Sequence, residues 1–260
     1  MANFEVPVEL YMTKPIIVAR AGESLEVVRR RLANHRISAL PVVDDQDRVV
    51  GLISRTDLLR VGRREAGGRH GAKLLTLPDR TAEDEMTREV VVAEKDTPLA
   101  ETARRMVKER RHRVVVVDSD VPVGIVSTRD LMDAIREKRV NRPLSEIMSS
   151  PLFTVRATEP LSLATDRLGQ AKVTGLVVVD EGWPVGIFTQ EEALGATGFP
   201  GDTRVEDAMN PAVLVLDERL AIHRAAAQAA AMDVRRLVVS RSGEAVGIIS
   251  GLDFARIVAA

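Results

Sequence analysis

The sequence of 260 residues contains no cysteine. Disulfide bonds, thiolate metal sites and cysteine nucleophiles are therefore excluded. Aromatic residues make up only 3% of the chain, too few for the stacking surfaces on which many proteins bind single-stranded nucleic acid. Apolar runs such as residues 114–117 are far shorter than the roughly 20 residues that a membrane-spanning helix needs.

Charge is balanced over the chain, with 37 basic and 38 acidic side chains and a net charge of −1. Such a chain has no overall field that would attract nucleic acid or a membrane surface. The first ten residues include Glu5 and Glu9 and lack the apolar core of a signal peptide, so we expect a cytoplasmic protein without membrane insertion. The length suits two domains of about 130 residues.

Four segments of the chain end in one pattern: a glycine, two apolar residues, a hydroxyl-bearing residue, two further residues and a carboxylate. A methionine precedes each of these endings, at separations of 39, 38, 38 and 38 residues. The four pairs are Met12 and Gly51, Met86 and Gly124, Met148 and Gly186, and Met209 and Gly247. Agreement of this kind indicates an internal repeat.

Between these markers, each copy predicts the same order of elements. A β-branched segment after the methionine predicts a strand, at residues 15–18, 90–92, 152–155 and 213–216. A helix follows, with apolar residues at i, i+3 and i+7. Two further strands and a second helix complete each copy. The predicted fold class is therefore α/β (α+β), built from four β-α-β-β-α repeats.

The repeats are expected to pair, because one repeat of roughly 50–60 residues buries too little surface to be stable alone. Residues 12–60 and 86–135 would form a first module within residues 1–140. Residues 148–195 and 209–258 would form a second within residues 141–260. Residues 60–84 are an insertion rich in glycine, arginine and glutamate, which we predict to be a mobile loop that is helical in part.

The repeated ending places a hydroxyl and a carboxylate three residues apart at a strand-to-helix junction. The hydroxyl and the N–H groups of a helix start suit a phosphate or a ribose, and the carboxylate can accept hydrogen bonds from ribose hydroxyls. The same residue types are common helix caps. Helix capping therefore stays open as the alternative for any single copy.

Basic side chains precede the second strand in alternate copies. The second copy has Arg-Arg-His-Arg at residues 110–113, and the fourth has Arg-Arg at 235–236. The first and third have Ile-Ser at 37–38 and Thr-Gly at 174–175. Because arginine and histidine are directional, charge-assisted phosphate ligands, the alternation indicates pairs in which one copy contacts phosphate and the other contacts a base. A solvated basic surface is the alternative.

The repeat resembles the CBS domain, and the chain resembles two tandem pairs of CBS domains (Bateman modules), each with pseudo-twofold symmetry. Residues 34–44 are especially similar to a repeat of the AMP-activated protein kinase gamma subunit. The resemblance implies clefts between paired repeats that bind AMP, ADP, ATP or S-adenosylmethionine as regulatory ligands, without a required cofactor or metal. It also implies a homodimer that controls a separate enzyme or transporter.

The resemblance carries the family's binding residues onto this chain by position. For the first module they are Thr13, Ile37, Ser38, His112, Arg113, Ser127 and Asp130. A weaker cleft there would use Ser54 and Asp57. For the second module they are Val173, Thr174, Arg235, Arg236, Ser250 and Asp253. Its other cleft, with Thr189 and Glu192, is expected to be weak or empty, because glutamate replaces the aspartate.

Other functions have weaker support in the sequence. The chain has four histidines and no catalytic or metal-binding motif, so we expect no enzyme. Residues 60–80 contain six basic and two acidic side chains, which keeps a nucleic-acid-binding CBS protein as an alternative, although we do not expect nucleic acid as the partner. A ligand-free structural subunit of a complex is the second alternative.

Overall fold

A computed structural model describes residues 3–66, 73–171, 173 and 175–260 of the protein. The first repeat contains β1 (Ala19–Arg20), α1 (Leu25–Asn34), β2 (Ala39–Val43), β3 (Val49–Ser54) and α2 (Arg55–Val61). The insertion contains β4 (Arg63–Ala66), β5 (Lys73–Thr76) and α3 (Ala82–Glu85). The second repeat contains β6 (Val92–Glu94), α4 (Leu99–Lys108), β7 (Arg113–Asp118), β8 (Val121–Ser127) and α5 (Thr128–Glu137).

The third and fourth repeats have the same order of elements. The third contains β9 (Thr154–Arg156), α6 (Leu161–Gln170), β10 (Gly175–Asp180), β11 (Trp183–Thr189) and α7 (Gln190–Gly195). The fourth contains β12 (Leu214–Asp217), α8 (Ile222–Ala231), β13 (Arg236–Arg241), β14 (Glu244–Ser250) and α9 (Gly251–Ala259). Every repeat forms a three-stranded sheet with its second strand in the middle. The predicted α/β fold class with four β-α-β-β-α repeats is confirmed.

The first helix of each repeat buries the predicted stripe. In α1 the buried side chains are Leu25, Val28 and Leu32. The corresponding helices α4, α6 and α8 bury residues at the same spacing. Residues three, four and seven apart lie on one face of a helix. In the first and third repeats this face packs with buried residues of the sheet of the same repeat.

The first strand of each repeat begins later than predicted. In the first repeat the strand is Ala19–Arg20 rather than residues 15–18, and it pairs in parallel with Val42 and Val43 of β2. In the other three repeats the strand begins one or two residues after the predicted start. The apolar residues before the strands are partly buried instead: Ile17 packs on the core of the first repeat. The β-branched pattern therefore indicates residues that are at least partly buried, but only some of these residues form hydrogen-bonded pairs in the sheet.

The insertion differs from the predicted loop. Its strands β4 and β5 form an antiparallel hairpin, in which Arg63 pairs with Thr76 and Ala66 with Lys73. The short helix α3 agrees with the expectation of some helical structure. The predicted loop also includes residues 67–72, which lie outside the described residues, as does the histidine at position 70.

The chain divides into two compact units. The larger consists of Met1–Val6, Pro98–His112 and Ser127–Ala260, and the smaller of Pro7–Thr97 and Arg113–Val126. The strands of the second repeat thus belong to the smaller unit, and its helices α4 and α5 belong to the larger. Within the larger unit, α4 packs on α9, and α5 packs on α8 and α9. The module boundary near residue 140 stays a prediction.

Within each unit, the methionine of each repeat packs against the glycine of the paired repeat; we call this reciprocal contact the exchange. In the smaller unit, Met12 of the first repeat packs against Gly124 of the second, and Met86 packs against Gly51 in return. In the larger unit the third and fourth repeats make the same exchange, with Met148 against Gly247 and Met209 against Gly186. Short antiparallel bridges run beside all four contacts, such as the bridge between Ser149 and Ile248. The constant methionine-to-glycine spacing therefore records pairing between repeats.

The sheets of the third and fourth repeats also share a core. Val177 and Ile187 of the third repeat are buried together with Val238 of the fourth. Partly buried residues around them come from both repeats and include Leu152 and Val213. The paired sheets therefore bury one face against each other, which supplies the apolar area that a single repeat lacks.

The exchange predicts the effect of adding a methyl group at Gly247. A Cβ built there would lie 2.8 Å from Sδ of Met148 and 3.0 Å from the carbonyl oxygen of Ser149. That segment is fixed by backbone hydrogen bonds to Ile248 of 2.8 and 3.0 Å. We expect Gly247→Ala to lower the free energy of unfolding by about 1–3 kcal/mol, as overpacking typically does, measured by equilibrium urea unfolding.

Gly22→Ala is the matched control, because a Cβ at Gly22 would meet no atom within 4 Å. This control should leave stability unchanged or slightly raise it. Equal unfolding midpoints for the two variants would contradict the close contact at Gly247.

Candidate functional site

All four hydroxyl–carboxylate pairs form helix caps. In the second repeat, the backbone N–H and the hydroxyl of Ser127 each donate to Oδ2 of Asp130 at 2.7 Å. Ser250 donates to Oδ2 of Asp253 at the same two distances. The pairs Ser54 with Asp57 and Thr189 with Glu192 have the same arrangement. Every copy therefore caps a helix, and one carboxylate oxygen of each pair is used within the protein. A ligand role for the pairs stays a prediction.

The second carboxylate oxygen differs between repeats. Oδ1 of Asp57 accepts a hydrogen bond from Arg60 at 3.2 Å, and Oδ1 of Asp253 accepts one from Arg256. In the third repeat, Gly195 stands one turn after Glu192. That carboxylate therefore has no arginine on its own helix to occupy its second oxygen. A ribose would compete with an arginine of the same helix at Asp57 and Asp253, and α7 contains no arginine to compete with it at Glu192.

Arg236 of the fourth repeat lies against the third repeat. In the antiparallel ladders, Gly175 stands opposite Thr189, and Arg236 stands opposite Ser250 at the equivalent position. A Cβ built on Gly175 would lie 3.1 Å from Nε of Arg236 and 3.2 Å from Cγ2 of Thr189. The absence of a side chain at Gly175 therefore makes room for the arginine beside the Thr189–Glu192 cap.

The Arg236 guanidinium is largely removed from water. Burial lowers the pKa of Arg236 from its ordinary value, and the nearby Glu192 carboxylate opposes this shift. Removing a cation from water is unfavourable unless charge or hydrogen bonds compensate it. Arg235, one residue earlier, is exposed. The two arginines grouped by the sequence analysis therefore have different surroundings.

The remaining residues predicted for the second module are placed as follows. Val173 is partly buried and packs against the core formed by the third repeat. Thr174 lies outside the described residues. Arg236, Thr189 and Glu192 are brought together, while Ser250 and Asp253 form the cap at the start of α9.

Residues predicted for the first module fall in both compact units. Within the smaller unit, Nη2 of Arg113 donates to Oγ of Ser38 at 3.1 Å. Ile37 packs on the core of the first repeat, and the N–H of Thr13 donates to the carbonyl oxygen of Ile125 at 2.8 Å. The larger unit contains the other three, with the carbonyl oxygen of His112 accepting from the N–H of Thr128 at 3.0 Å, beside the Ser127–Asp130 cap.

Gly175 leaves space for Arg236, a role that the residues around it in the sequence did not predict. Ala39 and Gly175 occupy the ladder position opposite the hydroxyl residue in the first and third repeats, and Arg236 occupies it in the fourth. A small residue in one repeat thus corresponds to an arginine in its partner. This alternation of side-chain size could have identified Gly175.

Metal binding has no support in the described part of the chain, where no group of three or more His, Asp or Glu side chains is placed to hold an ion.

Comparison with known proteins identifies the repeat. The sequence model of the CBS domain matches residues 8–64, 82–137, 144–197 and 205–260. The chain belongs to the CBS domain family. The four matched segments contain the four repeats derived from the methionine and glycine markers.

Two solved structures have a fold similar to that of this chain. Protein MJ1225 of Methanocaldococcus jannaschii is 23% identical over 210 residues, 75% of this chain and 71% of that protein. Its crystal structure, described as that of a proposed archaeal homologue of γ-AMPK, has a TM-score of 0.75 at 17% identity and covers 97% of this chain and 99% of that one. An uncharacterised conserved protein of Pyrococcus horikoshii has a TM-score of 0.69 at 22% identity, with the same coverage. At these identities the likeness concerns the fold.

An enzyme is also among the relatives. The L-aspartate semialdehyde sulfurtransferase of M. jannaschii is 33% identical over 121 residues, which are 46% of this chain and 21% of the enzyme. The chain therefore matches only a small part of that enzyme. Among the described helices of this protein, none is long and apolar enough to cross a membrane.

The capping geometry predicts a stability effect that is separate from ligand binding. Asp253→Ala removes the acceptor of both Ser250 hydrogen bonds, so we expect the free energy of unfolding to fall by about 0.5–2 kcal/mol. Arg256→Gln is the control, because it removes the ion pair between the exposed Arg256 and the buried Asp253 carboxylate and keeps the cap, and it should destabilise the protein less than Asp253→Ala does. Urea unfolding of both variants measures this, and equal losses would show that the ion pair, not the cap, stabilises α9.

Proposed function

We propose that this chain is a regulatory, non-catalytic sensor that binds an adenine nucleotide between paired CBS repeats. The observation that carries the proposal is the desolvated Arg236 guanidinium beside the Thr189–Glu192 cap. A CBS protein with its cation held in this position is suited to an anionic nucleotide, because arginine makes directional, charge-assisted hydrogen bonds to phosphate.

The ribose is proposed to bind at the Thr189–Glu192 pair. The helix cap uses Oε2 of Glu192, with the N–H of Thr189 donating to it at 2.9 Å. The other carboxylate oxygen has no arginine one turn along its helix and can accept from ribose hydroxyls. Glutamate at this position was expected to weaken the cleft. The longer side chain nevertheless keeps the capping contact, and it lies close enough to oppose the lowering of the Arg236 pKa by burial.

The cleft at Ser250 and Asp253 remains the second candidate in this module. It lacks the feature that favours the first, because Arg256 occupies Oδ1 of Asp253 and the Asp253 side chain is buried. Val173 and Thr174 stay proposed as the base side of this cleft. The first-module residues also stay a proposal, with Arg113 equivalent to Arg236 by position in the repeat.

The regulatory role and the partners are proposed from the family resemblance. Nucleotide binding between repeats would change how the repeats pack, and a bound partner that prefers one packing would then respond to nucleotide. The proposed partner is a separate enzyme or transporter, and the proposed assembly is a homodimer.

Calorimetric titration with AMP, ADP, ATP and S-adenosylmethionine tests the proposal. We expect at least one of these ligands to bind to the wild-type chain below the millimolar range. Arg236→Gln should weaken binding of a phosphate-bearing ligand at least tenfold, which corresponds to about 1.4 kcal/mol. If none of the four binds below the millimolar range, the sensor proposal is wrong, and the ligand-free structural role is favoured.

Two matched amide substitutions locate the ribose. In Glu192→Gln and Asp253→Asn, the amide oxygen can still accept the capping hydrogen bonds, whereas the carboxylate is lost. Glu192→Gln should weaken the nucleotide, and Asp253→Asn should leave its affinity within a factor of about three. The opposite result would place the ribose at Asp253, and no change in either variant would contradict both clefts.

A further inference from the structure

A basic cleft lies at the other ends of the helices from the predicted nucleotide residues. It has a volume of about 690 Å³ and is lined by Arg136, Arg139, Asn141, His223, Arg224 and Ala227. These residues come from the end of α5, the segment after it and the first half of α8, all within the larger compact unit. None of them belongs to the residues predicted for the nucleotide clefts.

The charge in this cleft is of one sign. Three arginines line it, and no acidic residue does. Arg136 pairs with Asp133 of its own helix at 3.1 Å. For the side chains of Arg139 and Arg224, the described residues provide no hydrogen bond or ion pair. Two exposed guanidinium groups without an ion-pair partner among the described residues therefore line one cavity, and its volume is in the range of small-molecule sites, roughly 300–1,000 Å³.

The start of α8 adds to this positive potential. Its first turn contains His223 and Arg224 and no acidic residue, although negative charge is what stabilises a helix start. The N–H of His223 is already used, since it donates to the carbonyl oxygen of Val140 at 3.1 Å. Nδ1 of the His223 ring lies 2.9 Å from the same oxygen, so this nitrogen is the donor, and in neutral imidazole Nε2 is then an acceptor that cannot donate to an anion. An anion here would be held by side chains.

Arg139 occupies a backbone position that favours glycine. It follows the end of α5 with a φ of 50°, and the next N–H, that of Val140, donates to the carbonyl oxygen of Ile135 at 3.3 Å. This is the usual glycine-favouring end of a helix. Arginines take the same conformation after α1 and α4, at Arg36 and Arg110, so what distinguishes Arg139 is its place in the lining of the cleft. Glycine at this position should support the helix end at least as well as arginine does.

We propose that this cleft binds an oligophosphate group, either as a free small anion or as the phosphate tail of a larger ligand. Planar guanidinium groups recognise phosphate oxygens by paired, charge-assisted hydrogen bonds. Two or more linked phosphates would span the arginines contributed by the two helices. The proposal does not depend on the nucleotide clefts, because it uses none of their residues.

The test uses inorganic tripolyphosphate as the probe and the full chain in calorimetric titration. The wild-type chain should bind tripolyphosphate below about 1 mM. The double variant Arg139→Gly/Arg224→Gln should bind at least tenfold more weakly, while its thermal unfolding midpoint is unchanged or raised. Arg204→Gln is the control, because it removes an equally exposed arginine of the same unit that pairs with Glu206 at 3.0 Å. It should leave the affinity unchanged.

Parallel titrations with adenosine and ATP separate the two sources of phosphate and the two proposals. Adenosine reports the nucleotide clefts alone, so the double variant should not alter its binding. An ATP affinity lowered by the double variant would assign the cleft to a nucleotide tail, and loss for tripolyphosphate only would assign it to a free anion. If tripolyphosphate does not bind below about 1 mM, or binds equally to wild type and double variant, the proposal is wrong, whatever adenosine does.

Discussion

Reciprocal packing of a methionine against the glycine of the paired repeat is the contact on which the rest of the structure depends. It joins Met12 to Gly124 and Met86 to Gly51 in the smaller unit, and it recurs between the third and fourth repeats. Each glycine stands three residues before the hydroxyl residue that caps the next helix. The exchange therefore fixes the ends of the hairpin strands. The helix caps and the position of Arg236 beside Thr189 depend on where those strands end. A single repeat has no partner to supply the other half of this contact.

Much of the fold could be predicted from the sequence, because its signals are local and repeated four times. The stripe Leu25, Val28 and Leu32 predicted a helix face that is buried. The first strands were placed too early, since β-branched residues such as Ile17 are buried without joining the ladder. A strand boundary depends on where the neighbouring strand ends, and that information is not local. The hairpin of the insertion was missed for a related reason, because its few apolar residues give only a weak strand pattern.

The residue types of the candidate site could be predicted from the sequence, but which of those residues lie together could be predicted only in part. The hydroxyl–carboxylate pairs were found, but the sequence does not tell which carboxylate oxygen a neighbouring arginine occupies. Arg60 and Arg256 occupy one at Asp57 and Asp253, whereas Gly195 leaves Glu192 without such a partner. Likewise, Arg235 and Arg236 are adjacent in sequence and differ in burial, because only Arg236 has the space left by Gly175. Such differences arise from packing between repeats, which a pattern within one repeat does not record.

A double-mutant cycle on Met12 and Gly124 tests the exchange most directly. The three atoms nearest to a Cβ at Gly124 all belong to Met12, with Cγ at 2.7 Å, so the cycle isolates one contact. The account predicts that Gly124→Ala is destabilising in the wild-type background and much less so in Met12→Ala. The coupling free energy from urea unfolding should be about 1 kcal/mol or more. Effects that add within about 0.5 kcal/mol would contradict the claim that this contact holds the paired repeats together.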